Sequence, residues 1–105
     1  MSLDGKQRRK LRALGHHLTG VVQVGHDGVT PGVVAALEQA LWDHELVKVK
    51  LSSEDRDTRK EQAEALAAGT GAEVAQVLGR TVLIYKANPD EPRIDLSARV
   101  PHQGG

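Results

Sequence analysis

Residues 21–32 read Val21-Val22-Gln23-Val24-Gly25-His26-Asp27-Gly28-Val29-Thr30-Pro31-Gly32. Four strand-like residues lead into a Gly-x-x-Gly loop, and the loop leads into a helix start, with Thr30 suited to the N-cap and Pro31 to the first helical position. The two glycines allow a sharp turn and a close approach to another molecule. Because a helix N-terminus favours anions, the stretch predicts a strand–loop–helix unit suited to holding a phosphate.

Hydrophobic spacing predicts the elements around this unit. They are a helix at 5–17, strands at 21–24 and 46–51, helices at 31–44 and about 55–69, and strands at 73–78 and 81–85. In the first helix Leu11, Leu14 and Leu18 mark one apolar face. Gly79-Arg80 fits a two-residue type II′ hairpin turn.

The order is therefore a helix followed by βαβαββ. Each strand–helix–strand step predicts a parallel, right-handed crossover, and the hairpin adds one antiparallel strand. The expected fold class is α/β, of the α+β two-layer type, with a four-stranded mixed sheet and helices on at least one face. We expect one domain over residues 1–96, with Ile94 and Leu96 touching its body, and a flexible tail over 97–105.

Composition narrows the function classes. Among 105 residues, 39% are hydrophobic and 27% are charged, with no cysteine, as is ordinary for an intracellular globular domain without disulfides or thiolate metal sites. No apolar run approaches the roughly 20 residues of a membrane span, and no secretory signal opens the chain. These features predict a cytoplasmic protein with no membrane partner.

Charge is unevenly distributed along a chain whose formal net charge is zero. Residues 1–24 contain one acidic residue, Asp4, and five basic residues, which are Lys6, Arg8, Arg9, Lys10 and Arg12. A local basic patch, rather than total charge, governs binding to a nucleic-acid backbone. Lys48 and Lys50 alternate with apolar residues in a predicted strand and would extend the patch, although either basic set is also compatible with an ordinary solvated face.

Other readings of these residues stay open. The Gly25–Gly28 loop is equally compatible with a tight turn that binds nothing, and Asp27 within it repels phosphate. Trp42 and Tyr85 are the only aromatic residues, too few for the stacking platform of an RNA-recognition motif. The five histidines show no metal-ligand spacing, so we expect no metal, no cofactor and no small-molecule substrate. A small enzyme would depend on His26 and Asp27, and no catalytic set supports one.

The combined pattern resembles the YhbY family, the free-standing bacterial form of the CRM domain (chloroplast RNA splicing and ribosome maturation). The resemblance covers about residues 3–96. It is carried by the basic opening 6–14, the strand and loop 21–28, the helix 33–41, and the segments 44–50, 54–56 and 76–85.

This resemblance implies a fold similar to the C-terminal domain of bacterial translation initiation factor three. It also implies binding to RNA in precursors of the large ribosomal subunit and a part in their assembly, without enzymatic activity. The expected RNA-binding residues are Gly25, His26, Asp27, Gly28, Lys6, Arg8, Arg9, Lys10, Arg12, Lys48 and Lys50. The alternative is a ribosome-associated protein–protein adaptor that uses Trp42 and the hairpin without touching RNA.

Overall fold

The computed structural model describes residues 3–15, 21–90 and 94. Their elements in chain order are α1 (Gly5–Gly15), β1 (Val21–Val24), α2 (Pro31–His44), β2 (Leu46–Leu51), α3 (Arg56–Thr70), β3 (Glu73–Leu78) and β4 (Thr81–Tyr85). This confirms the predicted order. The prediction that the first helix continues through residues 16 and 17, and that Leu18 shares its apolar face, lies outside the described residues.

The four strands form one mixed sheet in the order β1-β2-β4-β3. β1 and β2 are parallel, with Val24 opposite Leu51, while β4 is antiparallel to both β2 and β3. The predicted mixed sheet is thus confirmed, with β4 inserted between β2 and β3. Strands β1, β2 and β3 all finish at one end of the sheet, where the Gly25–Gly28 loop and the β3–β4 turn lie, and we call it the loop end.

The main core lies between one face of the sheet and the helices α2 and α3. Alternate residues of β2 and β4 point into it, because side chains of a strand alternate between the two faces. Its fully buried members are Leu37, Leu41, Val49, Leu66, Val82 and Ile84. Each Å² of apolar surface removed from water stabilises a fold by about 25 cal/mol. This core is the larger of the two buried clusters, so it contributes most of that stabilisation.

A second, smaller core lies on the opposite face, under α1. Leu11 is fully buried there with Leu46, Ala75, Leu83 and Tyr85. Helices therefore cover both faces, and the expected two-layer arrangement gains a third layer. The sequence did not specify it because Leu46 shares its face of β2 with Lys48 and Lys50, as a residue on an exposed face would.

The packing face of α1 also differs from the expected one. Leu14 is 37% exposed, whereas Gly15 is buried. A Cβ on Gly15 would lie 2.6 Å from Leu83 Cδ1, so the helix approaches the sheet through a residue without a side chain. The prediction that Leu14 belongs to the buried face of the helix is therefore wrong. The contact with the sheet is formed by Leu11 and Gly15, which are four residues apart.

Local signals fix the ends of several elements. Thr30 caps α2 through its hydroxyl, which accepts the Val33 N–H at 3.2 Å, and Pro31 occupies the first turn. Gly79 has a φ of 59° while Arg80 has a negative one, as a type II′ turn requires. Both sequence predictions are confirmed.

The carboxylate of Glu45 holds the segment after β4 against the start of β2. This buried side chain accepts the N–H groups of Asn88 and Ile94, each at 2.6 Å. Ile94 packs on the second core, which confirms its expected contact with the body. Leu96 and the predicted tail at 97–105 lie outside the described residues. Across the described ranges, no helix is long and apolar enough to span a membrane.

Candidate nucleic-acid interface

The Gly-x-x-Gly loop is a closed turn fixed to the end of β2. The Gly28 N–H donates to the Gly25 carbonyl at 3.1 Å, and the Ser52 hydroxyl donates to the same carbonyl, also at 3.1 Å. His26 and Asp27, at the tip of the turn, are exposed. The backbone of the loop is therefore held in one place while its tip faces solvent.

The two glycines of the loop differ in what they contribute. Gly28 has a φ of 73°, in the left-handed region that favours glycine. Gly25 is not in that region, and a Cβ placed on it would meet nothing within 4 Å. Gly28 is thus required by the turn itself, whereas the fold gives no reason for glycine at Gly25, where a missing side chain leaves the backbone open to an approaching molecule.

The first turn of α2 offers fewer free donors than its sequence suggests. Pro31 has no N–H, and the Val33 and Val34 N–H groups donate to the hydroxyl and carbonyl of Thr30. The positive end of the helix dipole still lies behind the loop. Anion binding at this point therefore depends on neighbouring cations as well as on the helix end.

The basic residues of α1 are spread along its outer surface. Lys6, Arg8, Arg9 and Arg12 are exposed, and Lys10 is half-buried. At a rise of about 1.5 Å per residue, Lys6 lies about 9 Å from Arg12, toward the start of the helix. The helix thus presents a positive strip rather than a single cluster.

The carboxyl-terminal part of α1 meets the basic residues of β2. Arg12, Gly15 and Lys48 line one groove of about 160 Å³, together with Gln76, Leu78, Thr81 and Leu83. Lys50 follows on the same face of β2, is exposed, and lies opposite Gln23 of β1. Since Gln23 is two residues before Gly25, Lys50 lies between the α1 strip and the loop.

The structure thus brings Arg12 and Lys48 into one groove and places Lys50 toward the loop. Lys6, Arg8 and Arg9 lie farther back on α1. We refer to Arg12, Lys48 and Lys50 as the α1–β2 basic track.

The aromatic residues lie away from this track. Tyr85 is buried in the second core. Trp42 is 50% exposed near the carboxyl end of α2, where its carbonyl accepts the Asn88 side-chain amide at 3.1 Å. That is the end of the sheet opposite the loop, so neither aromatic side chain lies beside Gly25–Gly28.

Helix α3 contributes residues that the sequence reasoning did not single out. A Cβ on Gly28 would lie 3.5 Å from the Gln62 side-chain nitrogen, so α3 passes directly beside the loop. One turn earlier, the Arg59 guanidinium donates to the carbonyls of Ser53 and Glu54, at 3.3 and 3.0 Å. The spacing of Arg56, Arg59 and Lys60, at i, i+3 and i+4, was the available signal, because it places three cations on one side of a helix.

Comparison with known proteins agrees with this architecture. The family model for the CRS1 / YhbY (CRM) domain matches residues 3–86. The chain belongs to the CRM domain family. The match begins in the segment before α1 and ends just after β4, so every element described above is part of the CRM domain.

Several CRM relatives span nearly the same length. The chain is 41% identical over 97 residues to a probable RNA-binding protein of Pseudomonas aeruginosa, covering 92% of each protein. It is 36% identical over 94 residues to the probable RNA-binding protein YqeI of Bacillus subtilis, covering 90% of this chain and 98% of YqeI. These names are those of RNA-binding proteins and not of enzymes.

A solved structure shows the same fold. The solution structure of a hypothetical protein from Staphylococcus aureus superposes with a TM-score of 0.72 at 34% sequence identity. The alignment covers 88% of this chain and 100% of the other. The CRM fold of the present chain therefore has an experimentally determined counterpart over almost its whole length.

Proposed function

We propose that this CRM domain is an RNA-binding protein that captures the phosphate backbone with the Gly25–Gly28 loop and the α1–β2 basic track. Its RNA is a segment of the large-subunit ribosomal RNA precursor, and its role is to assist assembly of the large ribosomal subunit in the cytoplasm. The relatives named as RNA-binding proteins support the first part, and the resemblance to the YhbY family supports the second.

The observation that carries the proposal is the position of Lys50. This exposed lysine follows Lys48 on the α1 side of the sheet and lies opposite Gln23, just before the loop. Arg12, Lys48 and Lys50 therefore follow one another across the surface toward the glycine turn. A phosphate backbone is a linear array of negative charges, so a directed series of cations beside an open turn suits it.

In the proposed mechanism, Gly25 lets a phosphate approach the loop backbone closely. Arg12, Lys48 and Lys50 neutralise the following phosphates. Contacts of this kind position RNA without reading its bases, so we expect recognition to depend on the shape and path of the RNA strand.

The proposal is tested with the double variant Arg12→Ala/Lys50→Ala and a naked transcript of large-subunit ribosomal RNA. Loss of two phosphate contacts should flatten the slope of log affinity against log salt by about 1.4 to 1.8. The charge-preserving variant Arg12→Lys/Lys50→Arg is the control and should keep the wild-type slope. An unchanged slope in the alanine variant would remove the basic track from the interface.

The ribosomal part of the proposal needs a separate measurement. Sedimentation of cell extracts should place the protein with precursors of the large subunit, and the alanine variant should shift toward the top of the gradient. Binding to particles without any binding to naked RNA would favour the adaptor alternative. The structure gives that alternative little support, because Trp42 and the exposed Leu78 lie at opposite ends of the sheet.

A further inference from the structure

A second basic surface lies on the other side of the loop end. An open groove of about 830 Å³ separates the first turns of α3 from the hairpin and is lined by Arg56, Asp57, Arg59, Lys60, Val77 and Gly79. Three of these residues are cations and one is an anion. We call this surface the α3 groove.

Two of these cations make no polar contact with the part of the chain that the structure describes. The side chains of Arg56 and Lys60 are exposed and form no hydrogen bond or ion pair with any residue in 3–15, 21–90 or 94. Arg56 is the first residue of α3, where a cation opposes the helix dipole, and Arg56 and Lys60, four residues apart, repel each other. An external anion bound beside Arg56 and Lys60 would relieve both effects.

Nearby carboxylates already have partners. The Asp55 carboxylate accepts the N–H and the hydroxyl of Thr58, at 2.9 and 2.6 Å. Glu54, in the connection between β2 and α3, pairs with Arg80 of the hairpin turn at 3.4 Å. Among the residues that line the groove, Arg56, Arg59 and Lys60 are cations and Asp57 is the anion, so the lining itself keeps an excess of positive charge.

The α3 groove continues from the Gly25–Gly28 loop. Gln62 lies beside Gly28, and Arg59, one turn earlier on the same helix, reaches the backbone of Ser53 and Glu54. Ser52, the preceding residue, is bonded to Gly25. An RNA strand that leaves the loop on the α3 side therefore meets Arg59 first among the residues that line the groove.

The two basic surfaces lie on opposite faces of the sheet. Lys48 and Lys50 alternate with the core residues Val47, Val49 and Leu51 and so share the α1 face. Val77 is opposite the core residue Val82 and belongs to the α3 face. A flexible single strand can turn around the loop end and touch both faces, which a straight duplex cannot do.

We propose that the α3 groove binds the backbone of single-stranded RNA that continues past the Gly25–Gly28 loop. This inference rests on the proposed RNA-binding function and extends it to a second face. Arg56 and Lys60 contact phosphates, Arg59 supports the path from the loop, and the half-exposed Val77 offers an apolar contact to a base.

The test uses the full chain and an oligouridylate of about 16 nucleotides, the upper site size for a small single-strand-binding fold. In Arg56→Ala/Lys60→Ala, affinity should fall and the slope of log affinity against log salt should flatten by about 1.4. The same variant should unfold at nearly the wild-type temperature, because relief of the Arg56–Lys60 repulsion offsets the lost attraction of Lys60 to Asp57 and Glu64 on the same helix. Weaker binding without lost stability separates a binding role from a structural one.

Two further variants complete the test: one should change the affinity in the opposite direction, and the other is its matched control. Asp57→Asn removes the anion of the groove and should tighten binding. Glu38→Gln makes the same change in net charge at an exposed position on α2 and should leave affinity unchanged. Equal tightening by both would reflect net charge alone and overturn the α3 groove.

The outcomes also separate this inference from the proposed function. If Arg12→Ala/Lys50→Ala flattens the salt slope and Arg56→Ala/Lys60→Ala does not, the α3 groove is overturned and the proposed function stands. If the wild type binds neither the oligouridylate nor ribosomal RNA, both are overturned.

Discussion

At the scale of single residues, the loop shows two separate reasons for a glycine. The positive φ of Gly28 belongs to the turn that closes onto Gly25, and it would strain any L-residue with a side chain. Gly25 has ordinary backbone geometry and open space around its missing Cβ. Folding accounts for Gly28, whereas the proposed approach of RNA is what would account for Gly25.

This difference predicts opposite behaviour for two substitutions. Gly28→Ala should lower the free energy of unfolding by about 1–2 kcal/mol, the cost of a left-handed L-residue. Gly25→Leu should leave thermal unfolding unchanged and weaken RNA binding about tenfold, the equivalent of one charge-assisted hydrogen bond. Urea denaturation and filter binding measure the two effects. Wild-type affinity in Gly25→Leu would exclude close approach at this position.

At the scale of elements, each helix is docked by a different device. α1 approaches the sheet through Gly15, which lies so close to Leu83 that a side chain at position 15 would force Leu83 to shift. α2 and α3 bury leucines against the main core and begin at capped residues, Thr30 and Asp55. The caps can be predicted from the sequence alone. The Gly15 contact cannot, because it depends on which strand lies beneath the helix.

The cap of α3 predicts an acid-sensitive contribution to stability. Hydrogen bonds from the hydroxyl and N–H of Thr58, aided by the nearby positive charge of Arg59, lower the pKa of Asp55 below its ordinary value of 3.8. A carboxyl group whose pKa is lower in the folded than in the unfolded protein stabilises the folded state at pH values above the unfolded pKa. This stabilisation is lost as the pH falls through the folded pKa.

Asp55→Asn should therefore remove part of the decline in unfolding free energy below about pH 4. Urea titrations of wild type and variant across that range measure the difference. The two curves running parallel through the acid range would contradict a role for the Asp55 charge.

At the scale of the whole molecule, the sheet separates two surfaces that meet at the loop end. The α1–β2 basic track lies on one face and the α3 groove on the other, while the opposite end of the sheet is closed by Glu45. This residue ends α2 with a φ of 65°, and its carboxylate binds the segment after β4. One end of the domain is thus available for binding while the other holds the chain together.

Glu45→Ala should lower the free energy of unfolding by about 2 kcal/mol or more, since two amide N–H groups lose their acceptor. Glu45→Gln keeps one acceptor oxygen and should fall between the wild type and Glu45→Ala. Because Glu45 lies far from the loop end, RNA affinity of the folded variants should be unchanged. Equal stability of wild type and Glu45→Ala, measured by urea denaturation, would show that this contact does not hold the segment.

Much of the fold was readable from the sequence. The apolar alternation of β2, the Thr30–Pro31 helix start and the Gly79 turn are local signals, and each predicts its element without reference to the rest of the chain. Leu14 was misread because helical spacing indicates a face but not how closely a helix approaches its neighbour. The α3 groove was missed because Arg56, Arg59 and Lys60 resemble an ordinary solvated helix surface until the hairpin is placed beside them.

The sequence by itself determined the order of elements, the mixed sheet and the candidate loop, since these follow from periodicity and from the backbone preferences of glycine and proline. Only the tertiary structure decided that α1 covers the second face, that Arg12 and Lys48 share a groove, and that Glu45 holds the segment after β4. The physical reason is that local conformation depends on neighbours in the chain. Burial and the meeting of charges depend instead on residues tens of positions apart, which the folded sheet brings together.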